Sequence, residues 1–310
     1  MSISASAPGK VNLGLWVGAP ESSGFHPLLT AFQAVDRWDT VRVSDAEQTS
    51  LQVEGSVDCS GVPEDSRNLA WRALALVADR CSIERSATIQ ISKNIPVAGG
   101  MAGGSADAAA ALLAVNAAWD CGLDDAELAE LAAELGSDVP FALHGMQAIG
   151  RGRGDALTPV ETTHPLYVVV CPSAHSLHTG AVYAEYDRLH PHADLPADLP
   201  AGFLRAWVQG NAHALAPLLH NDLADAAYSL LPELRDTAAA IEDAGALRAM
   251  VSGSGPTMWG LAESAEHAQQ VATALSAGGL EVWVTQSATT RPGLRPVHYV
   301  RAAAPAGWRE

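Results

Sequence analysis

Residues 96–107 read Pro-Val-Ala-Gly-Gly-Met-Ala-Gly-Gly-Ser-Ala-Asp, with glycines at 99, 100, 103 and 104 and a serine at 105. Glycine lets a backbone turn tightly and approach a ligand closely, because no Cβ stands in the way. An alanine-rich segment with strong helix propensity, Ala108 to Trp119, follows at once. A helix that starts there aims unpaired N–H groups and the positive end of its dipole into the loop. Such a loop suits a phosphate, and the expected ligand is a nucleoside triphosphate.

Three common templates fail. Gly99 and Gly104 have P-loop spacing, but Ser105 stands where the lysine belongs. The dinucleotide fingerprint fails because Met101 occupies its second glycine position. A hydrolase elbow around Ser254 fails because Ser252 replaces its first glycine. Lys10 and Lys93 are the only lysines, and both lie near glycine-containing segments. A compact ammonium is not always replaceable by a planar guanidinium, so both are candidates for work beyond solubility. Asp138 falls just past an expected helix end, between Gly136 and Pro140. The residues alone leave an N-cap role open for it.

The elements that must position these groups alternate irregularly. Strands are expected over 1–17, 40–43, 50–53, 87–91, 166–170, 248–251 and 280–285. Helices are expected over 68–80, 105–119, 124–135, 202–220, 232–244 and 264–277. Residues 145–159 read as an irregular glycine-rich stretch, 190–201 as a surface loop, and 252–257 (Ser-Gly-Ser-Gly-Pro-Thr) as a second glycine turn. The mixed order indicates α+β architecture, with a domain boundary near 150–165.

Composition narrows the class. The chain has 310 residues and is 48% hydrophobic, enough for one large or two ordinary domains. Its net charge of −17 argues against a nucleic-acid partner. Cys59, Cys81, Cys121 and Cys171 show no zinc-type spacing, and reduced thiols are expected. No apolar run is long enough for a bilayer and no signal peptide is legible, so a cytoplasmic location without membrane partners is expected.

The pattern P-x-x-x-G-[LM]-x-G-[GS]-S before a small-residue helix resembles the second motif of the GHMP kinase superfamily. Ala7-Pro8-Gly9-Lys10-Val11-Asn12-Leu13 is similar to its first motif, and Ser252 to Thr257 to its third. Gly24-Phe25-His26-Pro27-Leu28-Leu29-Thr30 with Phe32-Gln33, Leu135 to Phe141, Gly152 to Leu157 and Asn221-Asp222-Leu223 resemble the branch acting on a cytidine diphosphate derivative of methylerythritol. The similarity runs from about residue 5 to 285.

The resemblance implies a two-domain α+β fold. Residues 1–160 would form an ATP-binding domain like ribosomal protein S5 domain 2, and residues 161–310 a ferredoxin-like substrate domain. It implies ATP and Mg²⁺, a small-molecule acceptor phosphorylated on a tertiary hydroxyl, and a monomer or weak homodimer. Asp138 would be the catalytic base and Lys10 its partner. ATP would be held by Pro96, Val97, Ala98, Gly99, Gly100, Met101, Ala102, Gly103, Gly104, Ser105 and Ala106, with Asn68 at the adenine and Lys93 nearby. Ser105 would also be a metal ligand. Asn12, Phe25, His26, Thr179 and Tyr183 would contact the acceptor. His26 would read cytosine between Phe25, where that branch commonly has tyrosine, and Tyr183. The rivals are another GHMP kinase, of homoserine or phosphomevalonate type, and a silent nucleotide sensor on the same fold.

Overall fold

The computed structural model describes residues 2–295. The first half runs β1 (Ser2–Val17), β2 (Leu28–Ala46), β3 (Ser50–Gly55), α1 (Leu69–Arg80), β4 (Ser86–Lys93) and α2 (Gly103–Ala118). It continues through α3 (Asp125–Leu135), α4 (Val139–His144), β5 (Gln147–Arg151) and β6 (Ala156–Pro159). The second half begins with β7 (Tyr167–Cys171), α5 (Thr179–Leu189), α6 (Phe203–Val208), α7 (Ala212–Leu215), β8 (His220–Asn221) and α8 (Ala224–Leu230). It ends with α9 (Glu233–Asp243), β9 (Arg248–Val251), β10 (Met258–Ala262), α10 (Ala265–Ala277), β11 (Trp283–Gln286) and β12 (Gly293–Arg295).

Two sheets organise these elements. The larger has the order β12-β1-β2-β4-β3, with β5 and its partner β6 on β2 and with β8 beside β1. The smaller has the order β11-β7-β10-β9. Among the described strands only β3–β4 and β1–β8 pair in parallel. The large sheet takes β8 and β12 from the second half, so the chain crosses back over the expected boundary. Residues 296–310 of the expected second domain lie outside the described residues.

Register positions the chemistry. β1 pairs with β2 along most of its length, with irregularities between Pro8 and Lys10 and between Asn12 and Gly14. Bulges of this kind bend a strand and re-aim its side chains. Between them Lys10 and Asn12, two residues apart, project to the same face. On the other side α2 lies against the sheet. Ala106, Ala108, Ala109, Ala110, Ala111 and Ala114 are all fully buried. A helix apolar all round belongs inside a core, and its small side chains let neighbouring backbones approach.

The halves share a core. α6 buries Phe203 and Trp207 completely in the cluster under the large sheet. Burial of a large side chain contributes about 1.5–3 kcal/mol. Trp207 Nε1 donates to Gln33 Oε1 at 2.9 Å, so its one polar group is satisfied.

Several expectations are corrected. Residues 145–159 are not irregular: they hold the β5–β6 hairpin. Its glycines sit in the turn, Gly152 and Gly154 with φ of 66° and 91°, while Ala148, Ile149 and Leu157 supply strand residues. The helix expected over 202–220 breaks into α6, α7 and a 3-10 turn, because Asn211 caps a new helix by accepting from Ala214 N–H. α2 begins at Gly103, two residues before the expected start, with Ala102 as its N-cap. α4, α5, α8, β8, β10, β12 and the first half of β2 were not anticipated.

Candidate active site

One cleft of about 1040 Å³ opens between the glycine loop, the start of α4, the 24–28 loop and the start of α5. Its lining includes Lys10, Asn12, Phe25, His26, Ala98, Gly99, Gly100, Ala102, Gly103, Gly104, Ser105, Asp138, Thr179 and Tyr183.

The glycine loop is built for backbone donors. Ala98, Gly100 and Ala102 have φ of 53°, 76° and 58°, in the left-handed region. For the alanines this is an uncommon conformation that the surroundings must hold. Ala102 offers no side-chain cap to α2. The first N–H groups of that helix, at Gly103, Gly104 and Ser105, therefore have neither intrahelical partners nor a capping side chain. They border the cleft together with the positive end of the helix dipole.

Contacts between motifs hold this loop. Lys10 N–H donates to Met101 O at 3.1 Å, and Thr257 N–H donates to Gly99 O at 3.3 Å. Ser252 Oγ donates to Gly100 O at 3.0 Å. A Cβ on Gly100 would lie 2.0 Å from Ser252 O, which explains glycine at this crossing. The second glycine turn is held in place by Asn221, whose amide donates to Val251 O and Gly253 O. A Cβ on Gly253 would approach Lys10 Nζ to 3.1 Å.

Lys10 and Asp138 meet in the middle of the cleft. Asp138 is the N-cap residue of α4, yet its side chain makes no capping bond. Its carboxylate is 38% exposed and stands 3.8 Å from Lys10 Nζ. Lys10 Nζ donates to Asn12 Oδ1 at 2.8 Å. Asn12 Nδ2 donates to Thr30 Oγ1, which donates to Gly14 O, so the chain ends on the backbone. Burial pulls the Lys10 ammonium below the usual lysine range, and the Asp138 carboxylate works against that fall. A half-exposed carboxylate beside a buried cation can orient a hydroxyl and accept its proton.

At the far end His26 Nε2 lies 2.8 Å from Asp187 Oδ1, and its ring packs on Tyr183 with centroids 4.9 Å apart. Tyr183 and Asp187 lie one turn apart on α5 and share a face. Burial pushes the Tyr183 phenol well above its ordinary value, with the Asp138 charge adding to the rise. Phe25 is 53% exposed. Thr179 Oγ1 lies 3.1 Å from Ser254 Oγ.

Six expected ATP contacts fall outside the cleft lining. Lys93, expected near the ATP, ends β4 with its side chain 2% exposed and held by Asp39 and Asp107 behind the loop. Asn68, expected at the adenine, has both polar ends of its side chain engaged within the fold. It is the N-cap of α1, its Oδ1 accepts from Ala70 N–H, and its Nδ2 donates to Pro63 O. Pro96, Met101 and Ala106 are buried beneath the loop, and Val97 is half-buried. In the opposite direction the sequence reading gave no role to Thr30, Asp187, Ser254 or Arg153. Thr30 and Asp187 act through a neighbour; Thr30 falls inside the 24–30 motif without a role of its own, and no motif marks Asp187.

Among the described residues no three His, Cys, Asp or Glu side chains form a metal cluster. Ser105 and Asp138 bring hard oxygen donors to the cleft, which suits Mg²⁺ shared with substrate phosphates rather than a closed protein cage. No described helix is long and apolar enough to cross a membrane.

Residues 68–146 match the GHMP kinases N terminal domain, and residues 203–280 match the GHMP kinases C terminal domain. The chain is a GHMP kinase. A 4-diphosphocytidyl-2-C-methyl-D-erythritol kinase of Nocardia farcinica is 48% identical over 94% of this chain and 95% of its own length. One of a Nocardioides species is 48% identical over 88% and 93%. A crystal structure of 4-(cytidine 5'-diphospho)-2C-methyl-D-erythritol kinase superposes with a TM-score of 0.75 at 33% identity, over 92% of this chain and 99% of that one. Within the GHMP kinases, the chain belongs to the 4-diphosphocytidyl-2-C-methyl-D-erythritol kinase family. The mevalonate kinase of L. major, solved with R-mevalonate, shares the fold at a TM-score of 0.71 and 16% identity.

Proposed function

We propose that the chain transfers the terminal phosphoryl group of ATP to the 2-hydroxyl of 4-diphosphocytidyl-2-C-methyl-D-erythritol, in the non-mevalonate route to isoprenoid precursors. One observation carries this reading: a single cleft joins the open N-terminus of α2, the Lys10–Asp138 pair and the His26–Tyr183 wall. Phosphoryl transfer asks the protein mainly for positioning and charge stabilisation.

In this proposal the N–H groups of Gly103, Gly104 and Ser105 bind phosphate oxygens at the mouth of α2. Asp138 orients the acceptor hydroxyl and takes its proton. Lys10, fixed by Asn12, stands beside the carboxylate and faces the charge on the transferring group. His26, Phe25 and Tyr183 bind the cytosine end, and Thr179 contacts the acceptor beside them. Ser105 Oγ would help to hold Mg²⁺, which would supply positive charge to neutralise the triphosphate. The 1–160 unit carries the nucleotide loop, and the 161–310 unit adds Thr179 and Tyr183 to the acceptor side. Soluble substrates fit a cytoplasmic enzyme.

The test is a coupled assay of ADP release over a panel of alcohols: the cytidine diphosphate acceptor, homoserine, mevalonate and phosphomevalonate. Turnover with the cytidine compound alone is expected. Turnover with homoserine or phosphomevalonate instead would transfer the chain to a rival reaction, and turnover with none would favour the silent sensor.

A further inference from the structure

The turn between β5 and β6 lies against the loop that carries Phe25 and His26. Leu28 N–H donates to Gly152 O at 2.7 Å, which ties the two segments together. Arg153, the next residue, lines the cleft, and its guanidinium carbon sits 5.2 Å from the centre of the Phe25 ring. The guanidinium is braced from its own turn: Arg153 NH2 donates to Asp155 Oδ2 at 3.1 Å, and Arg153 N–H donates to Asp155 Oδ1. One face of an otherwise exposed phenyl ring is therefore covered by a planar cation.

We propose that Arg153 is a specificity-determining residue, whose guanidinium holds Phe25 as a platform for the pyrimidine and supplies positive charge for the diphosphate of a cytidine diphosphate ligand. The proposal rests on the acceptor assignment above and extends it to Arg153, which lies within the 152–157 motif but has no role implied by the resemblance.

Two physical points carry it. A half-exposed ring at a loop tip loses conformational freedom when a base stacks on it, and a guanidinium already seated on its far face removes part of that cost. Charge gives the second point. The chain is strongly acidic overall, at −17, and Asp138 and Asp187 both face the cleft. Among the described lining residues the only lysine or arginine side chains are Lys10 and Arg153. Lys10 is buried and engaged with Asn12 and Asp138, whereas Arg153 is 45% exposed at the entrance beside Phe25. An incoming diphosphate meets Arg153 first.

The test is a double-mutant cycle on Arg153→Gln and Phe25→Ala, read by calorimetric titration of cytidine diphosphate. A non-hydrolysable ATP analogue is kept in excess to fill the glycine loop. Each single variant is expected to weaken binding about tenfold, and the double variant by far less than the product, because the two side chains act as one unit. Thermal midpoints should stay close to wild type, since both side chains are largely exposed. An Arg153→Gln affinity within twofold of wild type, fully multiplying losses, or absence of cytidine diphosphate binding by the wild type would each overturn the proposal. Coupled binding without turnover of the acceptor would count against the reaction and leave Arg153 in place.

Discussion

Asp138 faces Lys10 across 3.8 Å, a separation too long for a hydrogen bond and short enough for an ion pair. The gap leaves the carboxylate a free lone pair toward the cleft, while the ammonium is already anchored on Asn12. In the proposed reaction this arrangement suits a base that must receive a proton without losing its partner.

Replacing Asp138 by Asn keeps the side chain's shape and removes its basicity. The expected kcat falls by about 10²–10⁴, the usual worth of a positioned general base. ATP affinity should stay within a few-fold, because the N–H groups of the α2 first turn do not depend on this side chain. A kcat within fivefold of wild type would remove Asp138 from the role of base.

His26→Ala is expected to raise KM for the cytidine-bearing acceptor at least tenfold while leaving KM for ATP unchanged, since stacking on one base is worth about 1–3 kcal/mol. Asp187→Asn should move the same constant in the same direction by less. It keeps a hydrogen-bonding group near His26 Nε2 and loses only the charge. A defect confined to ATP in either variant would show that the base pocket lies elsewhere.

The sequence made the loop and the two central residues legible because glycine spacing and a short motif each carry a local physical meaning. Helix N-termini followed the same logic: Asn68 and Asp124 are found as N-caps where the periodicity begins. Lys93 shows where that logic stops. Its scarcity and its position beside the loop suggested a ligand contact, but a lysine's partners depend on tertiary structure, and Asp39 lies far away in sequence on a neighbouring strand. Asp187 was silent for a related reason. Its importance is the His26 ring it meets across 161 positions. The β5–β6 hairpin was hidden because two turn glycines dominated the reading of a stretch whose strands are short.

Gly100→Ala tests the crossing of the two glycine turns. Its φ of 76° disfavours any side chain, and a Cβ would enter Ser252 O at 2.0 Å. The Ser252–Gly100 and Thr257–Gly99 contacts should both be lost as the turns separate. ATP affinity is expected to drop tenfold or more, with a destabilisation of about 1–3 kcal/mol from the strained backbone. Wild-type ATP binding together with an unchanged denaturation midpoint would mean that the turns need not touch.

The buried triad of Asp39, Lys93 and Asp107 gives the last expectation. Lys93 Nζ donates to both carboxyl groups, to Asp107 Oδ2 at 2.8 Å, and all three side chains are at most 3% exposed. Asp39 Oδ1 also accepts from the N–H groups of Asn94 and Ile95, so the cluster fixes the strand end that leads into the glycine loop. Asp107, on the second turn of α2, has an Oδ1 without a hydrogen-bond partner. Burial works against the Lys93 ammonium, but the Asp107 and Asp39 carboxylates outweigh it and hold it above its usual range. One ammonium then faces two carboxyl groups. Burial, opposed by Lys93 and reinforced by Asp39, pushes the Asp107 carboxyl from 3.8 up to about 7. The two directions agree if the charged lysine balances one carboxylate and Asp107 takes up a proton readily. A carboxyl raised in the folded state favours folding fully below its unfolded value, and that contribution is lost as pH rises toward the folded value. Urea unfolding of the wild type should therefore show this contribution declining between about pH 4 and pH 7. Asp107→Asn mimics the protonated form, and its stability relative to wild type should rise over the same interval. Lys93→Met leaves two buried carboxyl groups without their cation and should cost about 3–5 kcal/mol. A pH-independent difference between wild type and Asp107→Asn would mean that Asp107 keeps one protonation state throughout, and the charge balance assigned to the triad would be wrong.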